Sequence, residues 1–158
     1  MAEILYTDTD QIRSVLGVDS SDISDQALLD RNLDKELRLD LLSWLPTHAA
    51  LYAVGVATDA SETARSTSDA ITLYCTYYCA VLSAQSLKFS APQQVGDGKN
   101  TLSRFPTMDW DKLIRDLSGR AAYYKGIVSD LTAQTATVAS ITLFSGVALA
   151  VDPVTSTQ

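Results

Sequence analysis

The stretch that decides the fold is residues 109–133, Asp109-WDKLIRDLSGRAAYYKGIVSDLT-Ala133. Trp110, Leu113 or Ile114, Leu117, Ala121, Tyr124, Val128 and Leu131 step by three and four, which is one apolar seam of an α-helix capped by Thr107 or Asp109. A second series, Gly119, Ala122, Gly126, Ser129 and Ala133, repeats that spacing on another face. Two interior glycines cost a helix about 1 kcal/mol each relative to alanine. Two readings stay open: another helix, from the same fold or a neighbouring copy, approaches this small-residue face closely, or the helix breaks near Gly126.

Outward from this segment, the rest of the chain is also mostly helical in pattern. Thr7 to Asp10 offer capping side chains before Ile12, Val15 and Leu16, and Gly17 supplies a left-handed stop, which predicts a short helix over 9–16. Ser24 is an N-cap, with Ile23 and Leu28 placed as a hydrophobic staple. Leu29, Leu33, Leu37, Leu41 and Trp44 or Leu45 then predict one long helix over 25–45, closed by Pro46, with Asp34 one turn before Arg38. Residues 49–57 suit one or two further turns. Asp59 with Glu62 resembles a capping pair for a helix that starts at 60 or restarts at 68 and runs to about Leu87, with Ile71, Tyr74, Tyr78 and Val81 or Leu82 in phase. Tyr74, Tyr77 and Tyr78 read as core or interface anchors with their hydroxyls at the rim.

Residues 88–107 show no sustained period and read as a long loop or small hairpin, turning at Gly96-Asp97-Gly98-Lys99-Asn100 between Val95 and Leu102. Gly-Asp-Gly-Lys lacks the frame of a phosphate-binding loop and the strand before it. From Leu131 to Val151 no residue is charged. Ile141, Leu143, Val147, Leu149 and Val151 fall on one parity, which is strand spacing, and the run is too short and too rich in threonine and serine to span a membrane. Unpaired, such a strand is an aggregation hazard, so it calls for a partner strand. The expected fold class is therefore mainly α: a helical bundle of three to four helices over 1–134, with the 88–107 loop within it, and a C-terminal β-strand or β-hairpin arm over 135–158.

Composition narrows the function. The 158 residues carry 19 acidic and 12 basic side chains, a net charge of −7, which disfavours general nucleic-acid affinity. The charge is uneven: residues 1–45 hold ten acids and four bases, whereas 88–125 hold seven bases and four acids, which reads either as a pair of solvated faces or as opposed patches that meet between copies or partners. Met1 to Tyr6 lack the basic start and apolar run of a secretory leader, so synthesis in the cytosol is expected. Cys75 and Cys79 project in parallel from one helix face and read as buried free thiols. With His48 the only histidine, neither a metal site nor an acyl-transfer triad is supported, and no cofactor fingerprint occurs. A metal- or ligand-dependent enzyme built on the Tyr74, Tyr78, Cys75 and Cys79 face is the weakest reading. The positive signals concern assembly.

One layout gathers them. The short helix Ile12-Arg13-Ser14-Val15-Leu16-Gly17 is followed by a polar segment ending Ile23-Ser24-Asp25, then a long helix closing on Leu45-Pro46 and a second long helix rich in alanine, tyrosine and cysteine. Gly96-Asp97-Gly98-Lys99 then leads through Arg104-Phe105 to Trp110. Over residues 8–131 this order resembles the head-tail adaptor, or head-completion, proteins of tailed bacteriophages. The resemblance implies a helical virion protein of the neck, without enzymatic activity. It implies a homo-oligomeric ring, usually of twelve copies, beneath the portal protein, extending a channel through which DNA passes without specific binding. Neighbour or channel-side contacts then fall to the loop with Gly96, Asp97, Gly98, Lys99 and Arg104 and to the helix face with Gly119, Ala122, Gly126 and Ser129. Docking to the portal, tail or neck protein falls to the arm, with Ile141, Leu143, Phe144, Val147 and Leu149. An acidic lumen lets DNA slide by like-charge repulsion, which residues 1–45 would supply if they face inward. The alternative reading is a non-viral helical adaptor or regulatory subunit that binds one protein partner through the C-terminal strand.

Overall fold

A computed structural model describes residues 3–29, 32–90, 95–96, 101–102 and 109–147, with side chains described over 4–29, 32–88 and 109–134. The chain is mainly helical. It opens with a hairpin, β1 (Glu3–Ile4) against β2 (Thr7–Asp8), in antiparallel register with Ile4 opposite Thr7. Helices α1 (Thr9–Leu16), α2 (Asp25–Leu29), α3 (Leu33–Trp44), α4 (His48–Gly55) and α5 (Glu62–Ser90) follow. A second hairpin pairs β3 (Val95–Gly96) with β4 (Thr101–Leu102), and α6 (Trp110–Val147) ends the described chain.

The caps fall where the side chains dictate. The Asp8 carboxylate accepts from the Gln11 amide at 2.8 Å to start α1, and Gly17, at φ 70°, closes it. The Ser24 hydroxyl accepts from Ala27 N, and Ile23 and Leu28 are both buried, as a staple requires. Ser61, rather than Asp59, caps α5, accepting from Ala64 N at 3.2 Å. The helix then runs unbroken past 68. Asp109 caps α6 through Lys112 N at 3.0 Å.

Two expectations fail. The helix over 25–45 is two helices, because Asn32 sits at φ 56° ahead of α3. Asparagine is among the few residues that tolerate that left-handed conformation, and a helix cannot pass through it. In consequence Leu29 is exposed while Leu33, Leu37 and Leu41 stay in the core. The strand expected from residue 135 is also corrected: residues 135–147 continue α6 as helix. A short apolar run fits either period, and extending a formed helix needs no new nucleus, whereas a strand would need a partner. Residues 148–158, with Leu149, lie outside the described residues.

Helix α5 is the spine. Lys88 near its end bonds Asp111 at the start of α6 at 2.7 Å, and Tyr77 stacks on Tyr124, so α5 and α6 run antiparallel. The seam of α6 is buried or half-buried throughout, with Leu117, Ala121 and Val128 deepest. On another side of α5, Tyr74 meets Trp44 of α3 edge to face at 5.1 Å, and both donate hydrogen bonds to the Asp40 carboxylate. Helix α4 packs against the start of α5, where Gly55 lies under Ala64 and Ser68. The α1 side is closed by a buried hydroxyl contact, Thr7 Oγ1 to Thr76 Oγ1, 2.8 Å. Arg13, 4% exposed, ties α1 to α2: its guanidinium donates to Ile23 O at 2.8 Å, to the Asp10 carboxylate at 2.6 Å and to the Asp25 carboxylate.

Candidate assembly surface

On the helical wheel Gly119, Ala122, Gly126 and Ser129 lie opposite the buried seam of α6, and all four are exposed. A Cβ built on Gly119 or Gly126 meets nothing within 4 Å. Helix α6 does not break at Gly126, and among the described residues no helix lies against this face. Ser129 satisfies its hydroxyl within α6, donating to Lys125 O at 3.0 Å.

The surroundings of the face are basic and aromatic. Arg115, Asp116, Gly119, Arg120, Tyr123 and Tyr124 line a groove of about 490 Å³, and Tyr123 is 65% exposed, its ring edge-on to Tyr124 at 5.3 Å. Arg120 reaches over the Tyr77 ring at 5.8 Å, and Lys125 over Trp44 at 4.7 Å, so α6 is held by cation–π contacts on both flanks. Tyrosine and arginine at one solvent-facing site are the side chains that most often carry binding energy between proteins.

The other expected interface residues distribute differently. Gly96 lies in β3, paired with Thr101, and Val95 pairs with Leu102 as the turn chemistry predicts. Asp97, Gly98, Lys99 and Arg104 lie outside the described residues. Ile141, Leu143, Phe144 and Val147 lie in the last turns of α6, where only the helical backbone is described.

Sequence reasoning missed the outer face of α3. Leu39 and Leu42 are 69% and 54% exposed and share the side of α3 away from Leu33, Leu37 and Leu41. The signal was available, since both are out of phase with the core stripe. Among the acids of residues 1–45, Asp10 and Asp25 converge on Arg13, and Asp34 pairs with Arg38 at 2.8 Å. Glu36, exposed beside Leu39, has no cation within ion-pair distance among the described residues.

The opening hairpin, also unforeseen, is latched at Tyr6, a turn residue at φ 60°. Its hydroxyl lies 2.8 Å from His48 Nδ1, its ring packs on Tyr52 at 4.1 Å, and Leu5 N donates to the Asp34 carboxylate at 3.1 Å. Beside it a cleft of about 360 Å³ opens between the hairpin, α1 and Thr72 of α5. Burial, reinforced by the Arg38 charge, pushes the His48 imidazole below its ordinary range. The bond to Arg38, joined by that from Leu5 N, pulls the Asp34 carboxyl down against the opposing effect of burial.

A depressed histidine pKa in the native state means that the unfolded chain takes up its proton first as pH falls. The native state should therefore lose stability from about pH 6.5 downward until the native pKa is passed. Asp34 adds a second loss below about pH 3.9, because its stabilisation is complete only above the unfolded carboxyl value. Urea unfolding at a series of pH values should show the first decline in the native chain and a flatter profile in His48→Gln. An unchanged slope in that variant would assign the decline elsewhere.

Tyr74, Tyr78, Cys75 and Cys79 belong to the core or its rim. Tyr74 and Tyr78 stack at 5.8 Å, and the thiols are fully buried and unbridged. Burial raises both thiols, Cys79 to about 12, so neither carries a thiolate at neutral pH. Among the described residues no group of three or more histidine, cysteine or acidic side chains gathers as a metal site, and no helix is long and apolar enough to cross a membrane. No protein-family model, curated protein or solved structure matches the chain.

Proposed function

We propose that this chain is the structural head-tail connector subunit of a tailed bacteriophage, assembling as a ring beneath the portal in the virion neck. The ring extends the DNA channel, and the C-terminal segment of each subunit docks the portal, tail or neck protein. The observation that carries this reading is the element order. A short helix stopped by Gly17, a helix closing on Leu45-Pro46, the long tyrosine- and cysteine-bearing α5, a hairpin and a final long helix from Trp110 follow one another in the order on which the sequence resemblance to head-completion proteins rests. The helices around α5 form the bundle body. The docking element begins as a continuation of α6: that helix has 38 residues against the 29 of α5, about 14 Å more at 1.5 Å per residue. A basic-aromatic outer face on α6 supplies the contacts that a ring of copies needs.

Light scattering after size exclusion tests the reading. The expected result is a closed assembly of many 17.0 kDa copies, visible as rings by electron microscopy. A 17.0 kDa species at every concentration would contradict it.

A further inference from the structure

We propose that neighbouring copies meet head to tail, the outer face of α3 in one copy seating on the α6 groove of the next. The proposal rests on the connector reading only for the choice of a second copy as occupant. Two independent features of the chain are left incomplete. On α3, Leu39 and Leu42 are exposed together on the side opposite the core, with Lys35 and Glu36 one turn before Leu39. On α6, the groove of Arg115, Gly119, Arg120 and Tyr123 offers an exposed ring and open space above a glycine.

The two surfaces complement each other in shape and in charge. Leucine knobs three residues apart fit over a helix whose outer row is Gly119, Ala122 and Gly126, because the missing side chains let the second helix approach and Tyr123 walls the contact. Glu36 brings a carboxylate to Arg115 and Arg120, and Lys35 brings an ammonium to Asp116. The same sense holds more widely, with ten acids to four bases over residues 1–45 and seven bases to four acids over 88–125. The contact is heterologous, each copy giving its α3 face to one neighbour and its α6 groove to another, so that it repeats from copy to copy; the same two surfaces meeting twice between one pair of copies would make a closed two-fold dimer instead.

The test mixes two full-length variants, an affinity-tagged Leu39→Cys chain and an untagged Gly119→Cys chain, and treats them with a short bismaleimide. Cys75 and Cys79 are buried with raised thiols and stay silent, as the native chain alone will verify. The expected product is a tagged-untagged heterodimer at least ten times more abundant than any product from either variant alone. A second pair, Ser43→Cys with Ala122→Cys, leaves the leucines in place and should behave alike. Homodimers from one variant alone would mean that like surfaces meet, and a native assembly that stops at two copies would mean a closed two-fold contact; either result overturns the proposal. If neither pair cross-links while the native chain assembles, the α3–α6 contact is wrong and the connector reading survives. If neither pair cross-links and the native chain sediments as a monomer, both fall.

Discussion

Gly55→Ala should destabilise the protein by about 3 kcal/mol, the cost of overpacking against atoms that cannot yield. A Cβ at this position would sit 2.5 Å from the Ala64 carbonyl oxygen and 2.5 Å from Ser68 Cβ. The carbonyl belongs to the first turn of α5, and the Ser68 side chain is fixed by its own bond to Arg65 O, 2.8 Å. Relief therefore requires α4 to move off α5 as a body, opening the contact between them. In a domain of this size the expected fall in melting temperature is roughly 6–12 °C. The same substitution at Gly119 or Gly126 has the opposite sign in the monomer, a gain of about 0.5–1 kcal/mol each, because the helix there is open to solvent and alanine is the better helix former. Urea midpoints for the three variants measured side by side check both signs. A Gly55→Ala chain as stable as the native one would mean that α4 packs less closely on α5 than the geometry described above.

That contrast shows how the sequence could be read and where it could not. The two glycines inside α6 attract attention because their cost is local and calculable, yet the glycine under steric demand is Gly55, and its demand comes from residues 64 and 68 on a different helix. Local signals transferred well. Asp8, Ser24, Asp109 and Gly17 cap the helices as their side chains dictate, the α6 seam is buried in phase, and Val95 meets Leu102 across the turn. Three features were not legible because each is decided outside its own window. Asn32 breaks a leucine stripe that never loses its period, so periodicity alone cannot see the break. The opening hairpin is fixed by Tyr6 reaching His48, 42 residues on. Residues 135–147 satisfy an alternating pattern but inherit their conformation from the helix before them.

For the assembly surface, the outer row of α6 was legible as a small-residue face without a known occupant. The exposed leucines of α3 were legible too, being out of phase with the stripe of Leu33, Leu37 and Leu41, and were passed over because attention went to that stripe. Arg13 gives a further example. It reads as one base in an acidic segment, and the fold turns it into the buried junction of α1 and α2, with two carboxylates and a carbonyl on one guanidinium.

On the proposed connector function, removing residues 135–158 should abolish the joining of heads to tails while leaving the subunit folded. Among the described residues the core runs from Ile4 to Val128, so the truncated chain keeps the packing of α1, α3, α4 and α6 on α5. What it loses is the end of α6 and the chain beyond, 24 residues whose single charged side chain is Asp152. The run is rich in apolar side chains, and on the connector reading their burial against the portal, tail or neck protein supplies the gain that docking needs. The most direct measurement is complementation: phage lacking this gene are supplied with either the full chain or the truncated one, and finished particles are counted by electron microscopy and infectivity. Heads that fill with DNA but carry no tails, produced by a truncated chain with a native circular dichroism spectrum, are the predicted result. Normal tailed particles from the truncated chain would contradict the account at its centre.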